Sequence, residues 1–188
     1  MRRAMRIGLL TLVVGVMCTP EQVFARAYVN PWGGVIFGND QAQAGFRSFG
    51  VSFGDASHSL VGTETTFGFS PGFFGSGVEN YVMDLMAGVT VGPTIVTKAK
   101  RDIRPYGLIA FGTVRTSIDD LGSGPGLKRN DLALSIGGGA TMEMNDRLAL
   151  RADVRYFRTL GADEAANALN VSFADFHYWR TAIGVIIH

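Results

Sequence analysis

From Tyr28 onward the chain shows no helical period longer than a few residues. It is built from runs of about ten residues in which apolar side chains alternate with small or polar ones, the period of a strand with two different faces. The clearest run, 132–144, places Leu132, Leu134, Ile136, Gly138, Ala140, Met142 and Met144 on one face. Ala133, Ser135, Gly137, Gly139, Thr141 and Glu143 fall on the other. The next run, 148–158, sets Leu148, Leu150, Ala152, Val154 and Tyr156 against Ala149, Arg151, Asp153 and Arg155.

Between these runs lies Asn145-Asp146-Arg147, residues that tolerate turn geometry. A three-residue turn pairs Met144 with Leu148, and therefore Glu143 with Ala149, Thr141 with Arg151, Gly139 with Asp153 and Gly137 with Arg155. A two-residue turn would set polar against apolar along the whole hairpin, because a slip of one residue flips every side chain. The three-residue register also puts glycines opposite large charged side chains, as a narrow enclosed interior requires.

Eight strands are predicted, at 28–38, 46–54, 59–69, 80–92, 103–116, 130–144, 148–158 and 175–187. The second sets Phe49, Val51 and Phe53 against Ser48, Gly50, Ser52 and Gly54. The third sets Thr63, Thr65, Phe67 and Phe69 against Glu64, Thr66 and Gly68. The fourth alternates from Tyr81 to Val91, with Val82 and Met86 as exceptions. Pro31 and Gly33-Gly34 leave the first strand without a phase. The predicted fold is all-β, an eight-stranded antiparallel up-and-down barrel formed as one domain over 28–188.

The direction of the apolar face separates a soluble barrel from one embedded in lipid. A soluble, ligand-binding barrel turns its apolar face inward and covers its outside with Lys and Glu. Here the alternate positions carry Ser, Gly and Thr with a small mixed set of charges: Glu64, Asp84, Glu143, Arg151, Asp153, Arg155 and Arg180. Opposite charges flanked by glycines fit a paired lumen, so the apolar face is assigned to lipid, making this a transmembrane barrel. On that reading 39–45, 70–79, 117–129 and 159–174 are external loops, and 55–58, 93–102 and 145–147 are periplasmic turns. The 93–102 connection is long for a turn.

The first 27 residues read differently. Arg2, Arg3 and Arg6 precede an apolar run at 7–18, and Ala25-Arg26-Ala27 completes the three parts of a cleaved secretory signal. A valine and a methionine precede Cys18, which argues against a lipid anchor, and the remaining chain has no cysteine. Composition then takes on a sharper meaning. The chain of 188 residues is 47% hydrophobic and 18% charged, with 25 glycines. Its formal charge of +1 becomes −2 once four arginines and one glutamate of the signal are removed. Neither value provides a basic field for nucleic acid. One cysteine excludes a disulfide scaffold and a Cys-ligated zinc module. No metal spacing, phosphate loop or cofactor motif is present, so neither metal nor cofactor is expected.

The segment Arg104-Pro105-Tyr106-Gly107-Leu108-Ile109-Ala110-Phe111-Gly112, with Gly137-Gly138-Gly139 and 145–151, resembles the small outer-membrane β-barrel superfamily, which includes the opacity proteins and the membrane domain of outer-membrane protein A. The resemblance covers 28–188. It implies a bacterial outer-membrane location and recognition by the barrel-assembly machinery through a terminal aromatic residue. This chain departs from that pattern, with Ile187 in the aromatic slot and His188 beyond it.

Some barrels of the superfamily are lipid-modifying enzymes with a His, a Ser and an acid near the outer rim. Of His58, His177 and His188, only His177 falls near that rim, and its phase places it among lipid-facing residues. Tyr156, Tyr178 and Trp179 are read as membrane-interface aromatics. The lumen charges are read as a structural network, with a gated ion path as the alternative. The expected function is non-enzymatic: an integral outer-membrane barrel with a structural or surface-interaction role, in contact with membrane lipid and lipopolysaccharide. An extracellular ligand would meet loops 70–79, whose aromatics are expected to be exposed, and 159–174. A narrow porin is the first alternative, and a soluble secreted ligand-binding barrel the second.

Overall fold

The computed structural model describes residues 27–38, 46–55, 60–75, 79–96, 102–119, 127–160 and 176–188. The strands are β1 (Ala27–Phe37), β2 (Phe46–Asp55), β3 (Val61–Pro71), β4 (Glu79–Val91), β5 (Ile95–Val96), β6 (Asp102–Asp119), β7 (Leu127–Asn145), β8 (Leu148–Thr159) and β9 (His177–Ile187). Each long strand pairs antiparallel with the long strands before and after it, and β9 returns to β1, so the sheet closes. The result is an eight-stranded up-and-down barrel, with β5 as a short appendage on β6. Closure removes every sheet edge within the barrel wall, which a strand surrounded by lipid requires. The signal segment, His58 and most of the predicted loops lie outside the described residues.

The two faces separate as alternation predicts. In β8, Ala149, Arg151, Asp153, Arg155 and Phe157 are buried, while Leu148, Leu150, Ala152, Val154 and Arg158 are exposed. β1 acquires the phase that sequence could not assign: Tyr28, Asn30, Trp32 and Ile36 point inward, and Val29, Val35 and Phe37 outward. Phe49, Phe53, Leu85, Ile109, Phe111, Ile136 and Ile183 are among the exposed large hydrophobics. A soluble barrel would have these two faces reversed.

The β7–β8 hairpin keeps the predicted register from Gly137↔Arg155 to Glu143↔Ala149. Its tip differs. Asn145 pairs with Leu148, Met144 is the extra residue of a bulge, and the turn is Asp146-Arg147. The Asn145 side chain accepts hydrogen bonds from the Arg147 and Leu148 amides, both at 2.9 Å, and so closes a tighter turn than spacing alone required.

Of the long 93–102 connection, residues 93–96 and 102 are described, and they show why pairing is interrupted there. β4 and β6 pair down to Val91↔Gly107, and β5 resumes the same register at Ile95↔Ile103. Continuing that register places Pro93 opposite Pro105. Neither has an N–H to give the ladder, so pairing lapses there and recovers two residues later. β6 and β7 run for 18 and 19 residues, more than the roughly 9–11 needed to cross a bilayer. They stay paired as far as Ile118↔Leu127, so both ends of the predicted loop 117–129 are strand.

Val154, outward and midway along β8, tests the lipid assignment. Val154→Arg is expected to lower the unfolding free energy of the barrel in lipid vesicles by about 2–4 kcal/mol, measured by urea titration. An unchanged stability would mean that this face meets water.

Candidate functional site

The lumen contains six of the seven charged residues that alternation selected. At the end carrying the short turns, Glu64 of β3 meets Arg151 and Arg155 of β8. Arg151 Nη1 pairs with Glu64 Oε2, and Arg155 Nη2 approaches Glu64 Oε1 at 2.8 Å. Asp153 sits between the two arginines, 3.2 Å from Arg151 Nε and 2.9 Å from Arg155 Nη2. Two acids and two bases therefore form one neutral cluster. Glu64, Arg151 and Arg155 are each 3% exposed. Burial at that depth is tolerable only with paired charges and hydrogen bonds on the remaining donors and acceptors.

Three further side chains supply those bonds. Tyr28 donates to Glu64 Oε2 at 2.6 Å and accepts from Arg151 Nη1 at 2.9 Å. Tyr106 donates to Asp153 Oδ2 at 2.9 Å and accepts from Arg151 Nε at 2.7 Å, with the guanidinium carbon 4.5 Å from its ring centroid. Thr66 donates to Glu64 Oε1 at 3.0 Å. Sequence reasoning did not assign these three to the network. A signal existed for Tyr106, which has the parity opposite to outward Ile109 and Phe111 on the same strand.

Asp84 and Arg180 form a second, separate pair, with Nη1 2.7 Å from Oδ1. The Arg180 guanidinium lies 4.2 Å from the Trp32 ring and 4.5 Å from the Phe157 ring. Those contacts replace water around a delocalised cation that is more weakly hydrated than an ammonium.

Glycines make room for all of this. A Cβ on Gly68 would stand 2.6 Å from Arg180 Nη1, one on Gly139 2.7 Å from Asp153 Cβ, and one on Gly50 2.5 Å from the Trp32 ring.

Two of the expected site residues lie elsewhere. Glu143 has the predicted inward parity, paired with buried Ala149, but it lies one step from the hairpin bulge. It is exposed at the turn-end mouth beside Asp55, Asp102 and Arg104. Tyr178 is not an interface aromatic. It is 1% exposed and stacks on Phe157 inside the barrel, with ring centroids 4.7 Å apart, because it shares the parity of Arg180. Tyr156 and Trp179 do lie on the outer surface, 5.1 Å apart, with Phe37 stacked on Trp179 and the His177 ring tilted against Tyr156.

The loop end of the lumen is apolar. Ile36, Val82, Met86, Val114, Phe157, Phe176 and Tyr178 form one buried cluster, and Phe73 from the β3–β4 connection is fully buried among them. Val82 and Met86, the two breaks in the alternation of β4, are part of this cap. Phe73 was expected to be exposed on loop 70–79. It points into the barrel mouth instead, because an apolar surface there is available to cover its ring.

The fold and the filled lumen can now be set beside known proteins. The family model described as outer membrane protein beta-barrel domain matches residues 9–177. The chain belongs to this family. Among solved structures it is similar to Neisserial surface protein A, at 16% identity and a TM-score of 0.65, covering 86% of this chain and 96% of that one. It is also similar to Ail, the attachment invasion locus protein of Yersinia pestis, at 13% identity and a TM-score of 0.53, covering 86% and 95%. The N-terminal β-barrel domain of Pseudomonas aeruginosa OprF matches at 15% identity and a TM-score of 0.50, over the same shares of the two chains. No curated protein sequence matches the chain. At these identities the structural likeness establishes the fold alone, and it agrees with the family assignment.

Arg155 offers a direct test of the cluster. Arg155→Ala leaves Glu64 and Asp153 with only Arg151 between them and is expected to cost about 3–5 kcal/mol. Urea unfolding in lipid vesicles measures the change. A loss below about 1 kcal/mol, the range of an exposed ion pair, would show the cluster to be dispensable.

Proposed function

We propose that the protein is an integral, non-enzymatic barrel of the bacterial outer membrane, closed along its axis, that meets its partners at the loop end. The observation that carries this reading is the filling of the lumen. One neutral ion-pair cluster occupies the turn half, and the Asp84–Arg180 pair lies beneath an aromatic cap in the loop half. An eight-stranded barrel is just wide enough to be filled by side chains, and this one leaves the external surface as the place for interaction. The lumen network is then structural: it holds opposite walls together and excludes a continuous aqueous path.

Several features support the membrane placement and its partners. Outward-facing Arg47, Arg115 and Arg158 are exposed toward the loop ends of β2, β6 and β8, beyond the apolar band. Guanidinium groups at that height suit bidentate contacts with the phosphates of lipopolysaccharide. Tyr156 and Trp179 serve as interface anchors in the same zone. The external connections 70–79 and 159–174 are the surface for an extracellular ligand. A polyanion is compatible with the arginines, and Ail has been crystallised with the heparin analogue sucrose octasulfate. Export follows from residues 1–27 acting as a cleaved signal, and the barrel-assembly machinery inserts the strands into the outer membrane.

Membrane fractionation combined with gel electrophoresis of unboiled and boiled samples tests the placement. The expected result is recovery in the outer-membrane fraction with a heat-shifted band. Recovery in the soluble fraction overturns it. Planar-bilayer recording then separates a closed barrel, which gives no steady conductance, from a narrow porin, which does.

A further inference from the structure

The β3–β4 connection carries an arrangement that a plain loop does not need. Gly72 and Gly75 bracket Phe73 and Phe74 with φ of 66° and 110°, in the left-handed region that favours glycine. Asn80, at the start of β4, holds the turn from three sides. Its carbonyl accepts from the Gly72 amide at 2.8 Å, its Oδ1 accepts from the Phe74 amide at 2.9 Å, and its Nδ2 donates to the Gly75 carbonyl at 2.9 Å. The turn held this way drives the Phe73 ring into the mouth of the barrel. The ring is 0% exposed and lies 4.9 Å from Phe74, 5.4 Å from Phe176 and 5.3 Å from Tyr178.

Past the apolar cluster that carries this ring, around Arg180, the lumen is polar and incompletely satisfied. Trp32 Nε1, Asp84 Oδ2, Ser135 Oγ, Tyr178 OH and Arg180 Nε are buried with no hydrogen-bond partner among the described residues. Buried polar atoms left unpaired are costly, and internal water is the partner that satisfies such groups. On the far side, the Glu64–Arg151–Asp153–Arg155 cluster closes the turn end.

We propose that Phe73 is the external seal of a small hydrated chamber in the barrel, latched by Asn80 and distinct in chemistry from the charged seal at the turn end. The chamber takes water and excludes solutes from the external side for as long as the ring is seated. This deepens the reading of the barrel as closed and rests on it.

A buried cysteine reports on the seal. Ser135→Cys places a thiol in the chamber, where the serine hydroxyl has no partner to lose. Cys18→Ser removes the chain's one native thiol. In the full chain refolded in lipid vesicles, a charged methanethiosulfonate reagent is expected to modify this cysteine slowly. Phe73→Ala should raise the rate at least about tenfold, Asn80→Ala should raise it to a lesser degree, and Phe73→Leu should leave it slow, since local opening sets the access rate. A heat-shifted band confirms folding in each case. If Phe73→Ala does not fold, Asn80→Ala carries the comparison, because it removes the latch and keeps the ring. Rapid labelling with Phe73 present, or a rate unchanged by unseating the ring in a folded barrel, overturns the seal. Failure of the outer-membrane reading would show itself separately, as protein without a heat-shifted band in the absence of any substitution.

Discussion

The structure depends on the volume available inside eight strands. A lumen this narrow is crowded wherever large side chains face each other across a ladder, and in the charged region the pairing shows how the chain relieves that crowding. Glu64 has Gly54 and Gly88 as its cross-strand neighbours, Asp84 has Gly68, Arg151 has Gly184, Asp153 has Gly139, and Arg155 has Gly137. Trp32 is flanked by Gly50 and Gly184. Each of these side chains leans over a position without a Cβ, and charges from distant strands can then meet at hydrogen-bond distance. The glycine excess in the composition is the trace of this packing, and the ion pairs could not form without it.

A pair of like charges that departs from this pattern organises the lumen into layers. Arg155 and Arg180 stand directly opposite each other on β8 and β9. Like charges so placed destabilise a sheet unless they are drawn apart. They are. Arg155 is held by Glu64 and Asp153, whereas Arg180 is held by Asp84 and by the rings of Trp32 and Phe157. The repulsion is thereby turned into a division between a charged cluster near the turns and an aromatic region near the loops. Phe157, with Arg180 on one side and Tyr178 stacked against it, is the hinge between the two.

Much of this was legible in the sequence because a period of two records both faces at once. The β7–β8 register followed from matching glycines to charges, and the inward parity of Arg151, Asp153, Arg155 and Arg180 followed from their neighbours. Errors arose where a rule about residue type was preferred to parity. Its place beside Trp179 suggests an interface role for Tyr178, whereas parity puts it on the face of Arg180, where it is buried. Parity also carries no information on depth, so Glu143 was grouped with residues far inside when it lies at the rim. The burial of Phe73 could not be read at all: it depends on a cap assembled from β1, β4, β6, β8 and β9, whose inward apolar residues appear singly in the sequence, as Val82 and Met86 do. The lapse of pairing at 93–105 needed two prolines to be recognised as partners across strands.

These constraints explain how a chain can share its fold with proteins only 13–16% identical to it. Lipid requires that outward positions be apolar and leaves the choice of apolar residue open. The lumen requires that volumes complement one another and that charges sum to zero locally, a condition met by many different sets of residues. Neither demand fixes a particular residue at a particular place, so identity decays while alternation and closure persist. The same reasoning limits what fold can say about partners. The strands answer to lipid and to packing, and the residues free of both demands are those beyond the apolar band. Specificity in this barrel therefore has to be sought in its own outward arginines and loop-end residues, and likeness of the barrel wall to that of another protein is no guide to it.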